Sequence, residues 1–160
     1  MKYLTKKHWE GGENASSWGK ALRAYREQLE TLRPRFPDEV FAFFDRADIH
    51  DGALLHLDIS DGEHPVRVAL AIGDVYGRQS WTLKYGSARR AVVDFPAKTP
   101  QRHYAAEGFG ELACHELTDC GGGFFRHEIL FTSGATLLFE LGEVEVQRSE
   151  RDGGAPSTPA

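Results

Sequence analysis

Histidines that stand beside carboxylates are the residues of this chain best suited to chemistry. Three of its seven histidines are followed directly by an acidic residue, in the pairs His50-Asp51, His115-Glu116 and His127-Glu128. Imidazole and carboxylate groups are common ligands of zinc, manganese and iron in proteins. The pairs therefore raise the hypothesis of a metal site, and with it a metal-dependent enzyme or a small-ligand binder.

The elements that carry these side chains decide which of them can meet. Neighbouring residues on a β-strand point to opposite faces, whereas residues two apart share a face. An adjacent His–acid pair on a strand therefore cannot hold one ion, while two residues at alternate positions can. We take His56, Asp58 and His115 as the candidate ligands. His127 is in phase with apolar neighbours, which predicts a histidine at the edge of the core with a backbone partner.

The junction between the helical and the extended part of the chain is a second candidate. It reads Asp48-Ile49-His50-Asp51-Gly52. Asp51 can bond its own backbone and Gly52 can relieve strain, which favours a structural role. A His50–Asp51 pair held in this junction is the functional alternative.

Other catalytic patterns do not occur in the sequence. It contains no G-x-S-x-G elbow, and Gly121-Gly122-Gly123 lacks the lysine of a phosphate-binding loop. Cys114 and His115 are adjacent on a predicted strand, so they cannot pair for nucleophilic catalysis. Cys114 and Cys120 match no metal or redox motif. The sequence therefore indicates no cofactor, and an enzyme is less favoured than a binding protein.

The hydrophobic pattern predicts helices first and strands afterwards. A helical hairpin is expected over about 16–46, with one apolar stripe interrupted at Pro34 and a second helix from Asp38 to about Arg46. The stripe of the first helix consists of Trp18, Leu22, Tyr25, Leu29 and Leu32.

From about residue 52 to 147 the apolar period changes to two, which is typical of strands. The clearest hairpin turns at Thr132-Ser133-Gly134, and a parity change at Gly142 suggests a bulge. We expect a single α+β domain over 1–147, in which the helical hairpin packs on an antiparallel meander of six or seven strands. A partly closed barrel is the alternative, and the tail 148–160 is expected to be disordered.

Composition limits the kinds of partner and the cellular compartment that can be expected. The formal net charge of −5 argues against nucleic-acid binding, which usually needs a basic surface. No run approaches the roughly 18–20 apolar residues that cross a bilayer, and the polar start does not resemble a signal peptide. We expect a cytoplasmic protein with no membrane partner, and leave its oligomeric state open.

Scattered strings in the chain resemble bacterial proteins of the DUF4085 type, a family of unknown function. They are Met1-Lys2-Tyr3-Leu4-Thr5-Lys6-Lys7-His8-Trp9 at the start, the junction 49–55, and the final hairpin from His127 to Gly134. The resemblance implies a small bacterial sheet domain and no particular activity.

The functional expectation is therefore a non-enzymatic domain that binds another protein. An acidic chain suits a basic partner, as in small acidic immunity proteins that neutralise a toxin. The alternative is an enzyme or ligand binder that uses the histidine and carboxylate set.

Overall fold

The computed structural model describes residues 1–6, 15–60, 66–95 and 108–150, with the side chains of residues 15 and 16 left aside. These ranges contain two α-helices, one short 3-10 helix and eight β-strands. The helices are α1 (Ala15–Leu32), the 3-10 helix (Arg33–Arg35) and α2 (Asp38–Arg46). The strands are β1 (Ala53–Ser60), β2 (Val66–Gly73), β3 (Gln79–Ala88), β4 (Arg90–Asp94), β5 (Leu112–Gly121), β6 (Phe124–Phe131), β7 (Thr136–Leu141) and β8 (Glu143–Glu150).

The two helices confirm the expected helical hairpin. α1 ends at Leu32, two residues before Pro34, and Pro37 stands at the N-cap of α2. Asp38 lies in the first turn of α2 and Arg46 in its last turn, so both charges complement the helix dipole. The buried residues of α2 are Val40, Phe41, Phe43 and Phe44.

The strands form two four-stranded antiparallel sheets. The first sheet has the order β1-β2-β3-β8, and the second has the order β4-β7-β6-β5. The α+β class and the antiparallel pairing are confirmed, but the expected single meander is wrong, because β8 pairs with β3 and β4 pairs with β7. Within the described residues, the two sheets do not close into a barrel.

One two-stranded ribbon passes from the first sheet into the second. Only Arg89 separates β3 from β4, and only Gly142 separates β7 from β8. At the bend the Arg89 N–H donates to the Glu140 carbonyl at 2.9 Å, and the Gly142 N–H donates to the Gly86 carbonyl at 3.1 Å. The parity change at Gly142 thus marks the bend between two strands.

Strand β8 of the first sheet extends further along the sequence than predicted. Ser149 and Glu150 pair with Ser80 and Gln79, so β8 continues three residues beyond the predicted limit of 147. The predicted disordered tail is therefore wrong for residues 148–150, because each of them has a ladder partner on β3. Residues 151–160 lie outside the described residues.

Strand β5 is an edge strand of the second sheet, and α1 covers it. The Leu117 N–H, which belongs to this edge, donates to the Tyr25 hydroxyl of α1 at 3.1 Å. The Cys114 Sγ donates to the Leu4 carbonyl at 3.4 Å. These bonds supply partners to an edge that would otherwise be open to pairing with another strand.

The N-terminal residues lie on the outer face of the second sheet, where two carboxylates face each other. Glu116 on β5 stands directly opposite Glu128 on β6, an arrangement that destabilises a sheet. The amides of Lys2, Tyr3 and Leu4 donate to Glu116, the last two at 3.0 Å. The α-amino group of Met1 pairs with Glu128 Oε1 at 2.6 Å. The segment therefore compensates the repulsion.

Candidate functional site

The three candidate metal ligands are not brought together. His56 and Asp58 are exposed on β1, opposite Ala71 and Ala69 of β2 in the first sheet. His115 lies in the second sheet, against the aromatic rings of α2. The described residues include no group of three His, Cys, Asp or Glu side chains that could hold a metal ion.

The His50–Asp51 junction braces the two sheets. The His50 Nδ1 lies 2.9 Å from Asp51 Oδ2, with both side chains largely exposed. Asp51 has a positive φ of 60°, and its N–H donates to the Leu112 carbonyl at 2.9 Å. A Cβ on Gly52 would lie 2.2 Å from the Gly73 carbonyl oxygen, so only glycine fits there. These contacts hold the start of β1 beside the start of β5.

The interior holds a polar chain that joins the two sheets. The Tyr85 hydroxyl of β3 lies 2.6 Å from His127 Nδ1 of β6. The His127 Nε2 lies 3.1 Å from His115 Nδ1 of β5. His127 is fully buried and its partners are side chains, so the prediction of a core-edge histidine with a backbone partner is wrong.

Burial determines the protonation of this chain. Loss of solvent lowers the pKa of His115 to about 4, and burial together with the neighbouring His115 lowers the pKa of His127 well below its usual value. Both rings are therefore neutral near pH 7. A general base works best with a pKa near the working pH. The hydrogen-bonded side chains of Tyr85, His127 and His115 are thus poorly suited to proton abstraction, and they act as a polar bridge between the sheets.

The same burial sets the direction of the hydrogen bonds. Among the described residues, His127 is the acceptor available to the Tyr85 hydroxyl. We infer that Tyr85 donates to His127 Nδ1, that His127 Nε2–H donates to His115 Nδ1, and that the half-buried His115 keeps its proton on Nε2.

An open groove lies beside these hydrogen-bonded side chains, between α2, the β2–β3 turn and β8. We call it the aromatic groove, and its volume is about 620 Å³. Phe43 and Trp81 are the buried side chains of its wall, and their ring centroids lie 6.2 Å apart. Val75 is 50% exposed and Tyr76 is 74% exposed at its mouth. The groove thus combines a buried aromatic base with exposed apolar side chains.

The turn that carries Tyr76 is well defined. Asp74 Oδ1 accepts the Arg78 N–H at 2.8 Å, and the Asp74 carbonyl accepts the Gly77 N–H at 3.1 Å. Gly77 has a φ of 66°, which glycine adopts without steric cost. The Arg78 guanidinium carbon lies 5.5 Å from the centre of the Tyr76 ring. The aromatic side chain is therefore presented to solvent on a turn held by its own hydrogen bonds.

Charged side chains of both signs surround the aromatic groove. Arg46 pairs with Asp45 at 2.9 Å and Arg148 with Glu150 at 3.4 Å. The six charged residues that line the groove are Glu39, Asp48, Asp74, Arg46, Arg78 and Arg148. This arrangement suits recognition by apolar contact and ion pairs.

The sequence carries a signal for the aromatic groove that catalytic and metal-binding motifs do not include. The turn between β2 and β3 reads Asp74-Val75-Tyr76-Gly77, with Asp and Gly at turn positions. Between them stand two apolar residues, where exposed turns usually carry polar ones. An aromatic residue at a turn tip is therefore the feature that would have marked the groove.

Comparison with known proteins adds no relative. No protein-family model matches the chain, and no curated protein or solved structure matches it either. The resemblance to the DUF4085 type therefore stays a prediction. Within the described part of the chain, neither helix combines the length and the apolarity that a bilayer span requires.

Proposed function

We propose that this domain binds a basic protein partner through the aromatic groove. The observation that carries the proposal is the exposure of Tyr76 and Val75 beside the buried rings of Phe43 and Trp81. Tyrosine, tryptophan and arginine are the residues that most often dominate the energy of protein interfaces. The aromatic groove contains all three kinds.

Charge favours a basic partner over an acidic one. The chain carries a net charge of −5, which attracts a cationic protein at long range and raises its rate of association. Around the groove itself three carboxylates stand beside three arginines, so the preference for a basic partner depends on the net charge of the whole chain. An immunity-like role, in which binding blocks a toxic partner, is the form of this proposal that suits an acidic domain.

The test begins with crosslinking in a lysate of the source organism, with wild-type protein and with Tyr76→Ala as baits. Val93→Ala is the matched control, because Val93 is also an exposed apolar residue but lies on β4 of the second sheet. A partner that wild type and Val93→Ala capture, and Tyr76→Ala does not, is then purified and its affinity measured by calorimetry.

The proposal predicts a partner of positive net charge, weaker binding at higher salt and a loss of about 2 kcal/mol for Tyr76→Ala. Arg78→Glu makes the rim of the groove more acidic, and we expect it to strengthen the binding of a basic partner at low salt. A partner that Tyr76→Ala captures as well as wild type and Val93→Ala do would show that the binding site lies elsewhere. An acidic partner would contradict the charge argument.

A further inference from the structure

The first sheet ends at strand β1, and most of this edge has no strand beside it among the described residues. β1 pairs with β2 on one side only. On its other side Ala53 forms an isolated bridge with Glu111, and within the described part of the chain no ladder continues beyond that bridge. The outward backbone N–H and C=O groups of residues 55–60 are therefore a template for a further strand.

The other three sheet edges are less suited to pairing with a further strand. β5 is covered by α1 and by the N-terminal residues. β8 carries Glu143, Glu145 and Glu150 against one arginine, and such charge disfavours a second copy. β4 has five residues, and short edge strands pair poorly. β1 has eight residues without lysine or proline, and its bulge is confined to its start.

The apolar row of β1 is left open at the edge. Ile59 stands opposite Val68, which is buried, but Ile59 itself is 45% exposed. Leu55 is 42% exposed, and Leu57 is half-buried opposite the fully buried Leu70. No other strand of the described residues exposes two large apolar side chains. A strand added here would continue the core of the first sheet past its present end.

The sequence of β1 is complementary to a second copy of itself in one register. Opposite residues of an antiparallel pair share a face, so a two-fold axis places one residue opposite itself. With Leu57 on the axis, His56 of each copy faces Asp58 of the other, and an imidazole N–H can donate to that carboxylate. With Asp58 on the axis, two carboxylates would face each other. With His56 on the axis, the second strand would reach Ala53, where Glu111 already pairs.

We propose that two copies of this chain pair through β1, antiparallel and about a two-fold axis at Leu57. The two four-stranded sheets then form one continuous sheet, and Ile59 of each copy lies beside Leu55 of the other. The exposed His56–Asp58 pairs contribute little affinity but fix the register, while apolar burial supplies most of the stabilisation. The axis uses both edges, so assembly stops at two copies. No residue of β1 lines the aromatic groove.

Sedimentation velocity of the full chain tests the assembly. The protein is measured from about 1 to 500 µM, a range that covers weak interfaces. We expect the average mass to rise from one chain to two, with a dissociation constant in the micromolar range. The reason is that pairing over residues 55–59 is smaller than a standard interface of roughly 1,600 Å².

Ile59→Lys tests the apolar part of the edge, and Val93→Lys on β4 is its matched control. The two side chains are 45% and 41% exposed, and both changes add a lysine to a sheet edge. We expect Ile59→Lys to raise the dissociation constant about tenfold or more, because a lysine on an edge opposes pairing. Val93→Lys should assemble as wild type does. Circular dichroism checks that both variants fold.

Charge exchange tests the register at two exposed positions, and it remains decisive if Ile59→Lys fails to fold. His56→Glu sets like charges opposite each other in both pairs of a dimer, and Asp58→Lys removes both acceptors. Each change alone should weaken assembly about fivefold or more. In an equimolar mixture of the two variants, the new glutamate of one chain faces the new lysine of the other. Mixed dimers should therefore form.

Four results would each overturn the proposal. The wild-type chain sediments as one copy at the highest concentration, or it assembles beyond two copies. Val93→Lys weakens the dimer and a folded Ile59→Lys does not, which places the contact on β4. The mixture of His56→Glu and Asp58→Lys assembles no better than either variant alone, which excludes the register centred on Leu57.

Discussion

The two faces of the β5–β6 pair treat polar residues in opposite ways. On the inner face, His115 and His127 are neutral and bond to each other and to Tyr85. On the outer face, one residue further along each strand, Glu116 and Glu128 receive the amides and the α-amino group of the N-terminal residues. The same two strands therefore hold an uncharged chain on one side and compensated carboxylates on the other.

The difference shows how the energetic cost of burying a polar side chain is reduced on each face. Between the sheets, no charged side chain of the described residues contacts the histidines, and burial lowers their pKa so that they lose the proton. Outside, donors reach the carboxylates directly, and a charged hydrogen bond is roughly twice as strong as a neutral one. The inner face should therefore respond to pH, and the outer face to the loss of its donors or acceptors.

The largest effect is expected on the outer face, for Glu116→Ala. This change removes the acceptor of three amides, in a side chain that is fully buried. We expect the free energy of unfolding to fall by about 4 kcal/mol, because each open N–H and lost charged bond is costly. Urea unfolding measures it. The exposed Glu111→Ala, just before β5, should stay within about 0.5 kcal/mol of wild type.

A smaller loss should follow acidification, and it belongs to the inner face. The folded pKa values of His115 and His127 lie below the value of about 6.5 expected in the unfolded chain, so the unfolded state binds more protons below pH 6.5. Stability is therefore full above that pH and falls towards pH 5, by about 1.5 kcal/mol for His115 and by a further amount for His127. Carboxylates such as Glu140, whose pKa is lowered by its bond to Arg126, lose stabilisation only at lower pH.

The measurement is the free energy of unfolding in urea at pH 7, 6 and 5. His115→Gln should reduce the slope, and His56→Gln, at an exposed position on β1, is the matched control. A wild-type slope near zero in this window would contradict the neutral, buried chain.

The smallest effect is expected for Tyr85→Phe, which keeps the ring and removes only the hydroxyl. His127 Nδ1 then loses its donor inside the core, and we expect a loss of about 1.5 kcal/mol. Nitrogen NMR of wild type should show His127 protonated on Nε2. If it showed the proton on Nδ1 instead, the direction of the whole chain would be reversed.

Local patterns were sufficient to predict the elements. The apolar stripe of α1, the prolines after it and the alternation of the strands depend on neighbours within a few residues, and all these elements are found. The hairpin at Gly134 is confirmed as well, with a φ of 85° at that glycine. The pairing of the strands was harder to predict from local patterns. β8 pairs with β3 across more than fifty residues, and no turn signal marks Arg89 as the bend between two sheets.

The arrangement of the candidate site could for the most part not be predicted from the sequence, for the same reason. Tyr85 and His127 are 42 residues apart, and nothing in either neighbourhood indicates the other. The metal hypothesis failed to anticipate that β1 is an exposed edge strand with a bulge between Leu54 and His56. Chemistry that depends on two sheets meeting requires the pairing to be known first.

The ribbon that bends at Arg89 and Gly142 bears on how the domain unfolds. Because only Arg89 joins β3 to β4 and only Gly142 joins β7 to β8, the two sheets are connected by a continuous ribbon whose bend is held by hydrogen bonds. Loss of order in one half should therefore propagate through the ribbon into the other. We expect the amides of β3 and β7 to exchange hydrogen only by global opening, at one common free energy, so that the two sheets behave as a single cooperative unit.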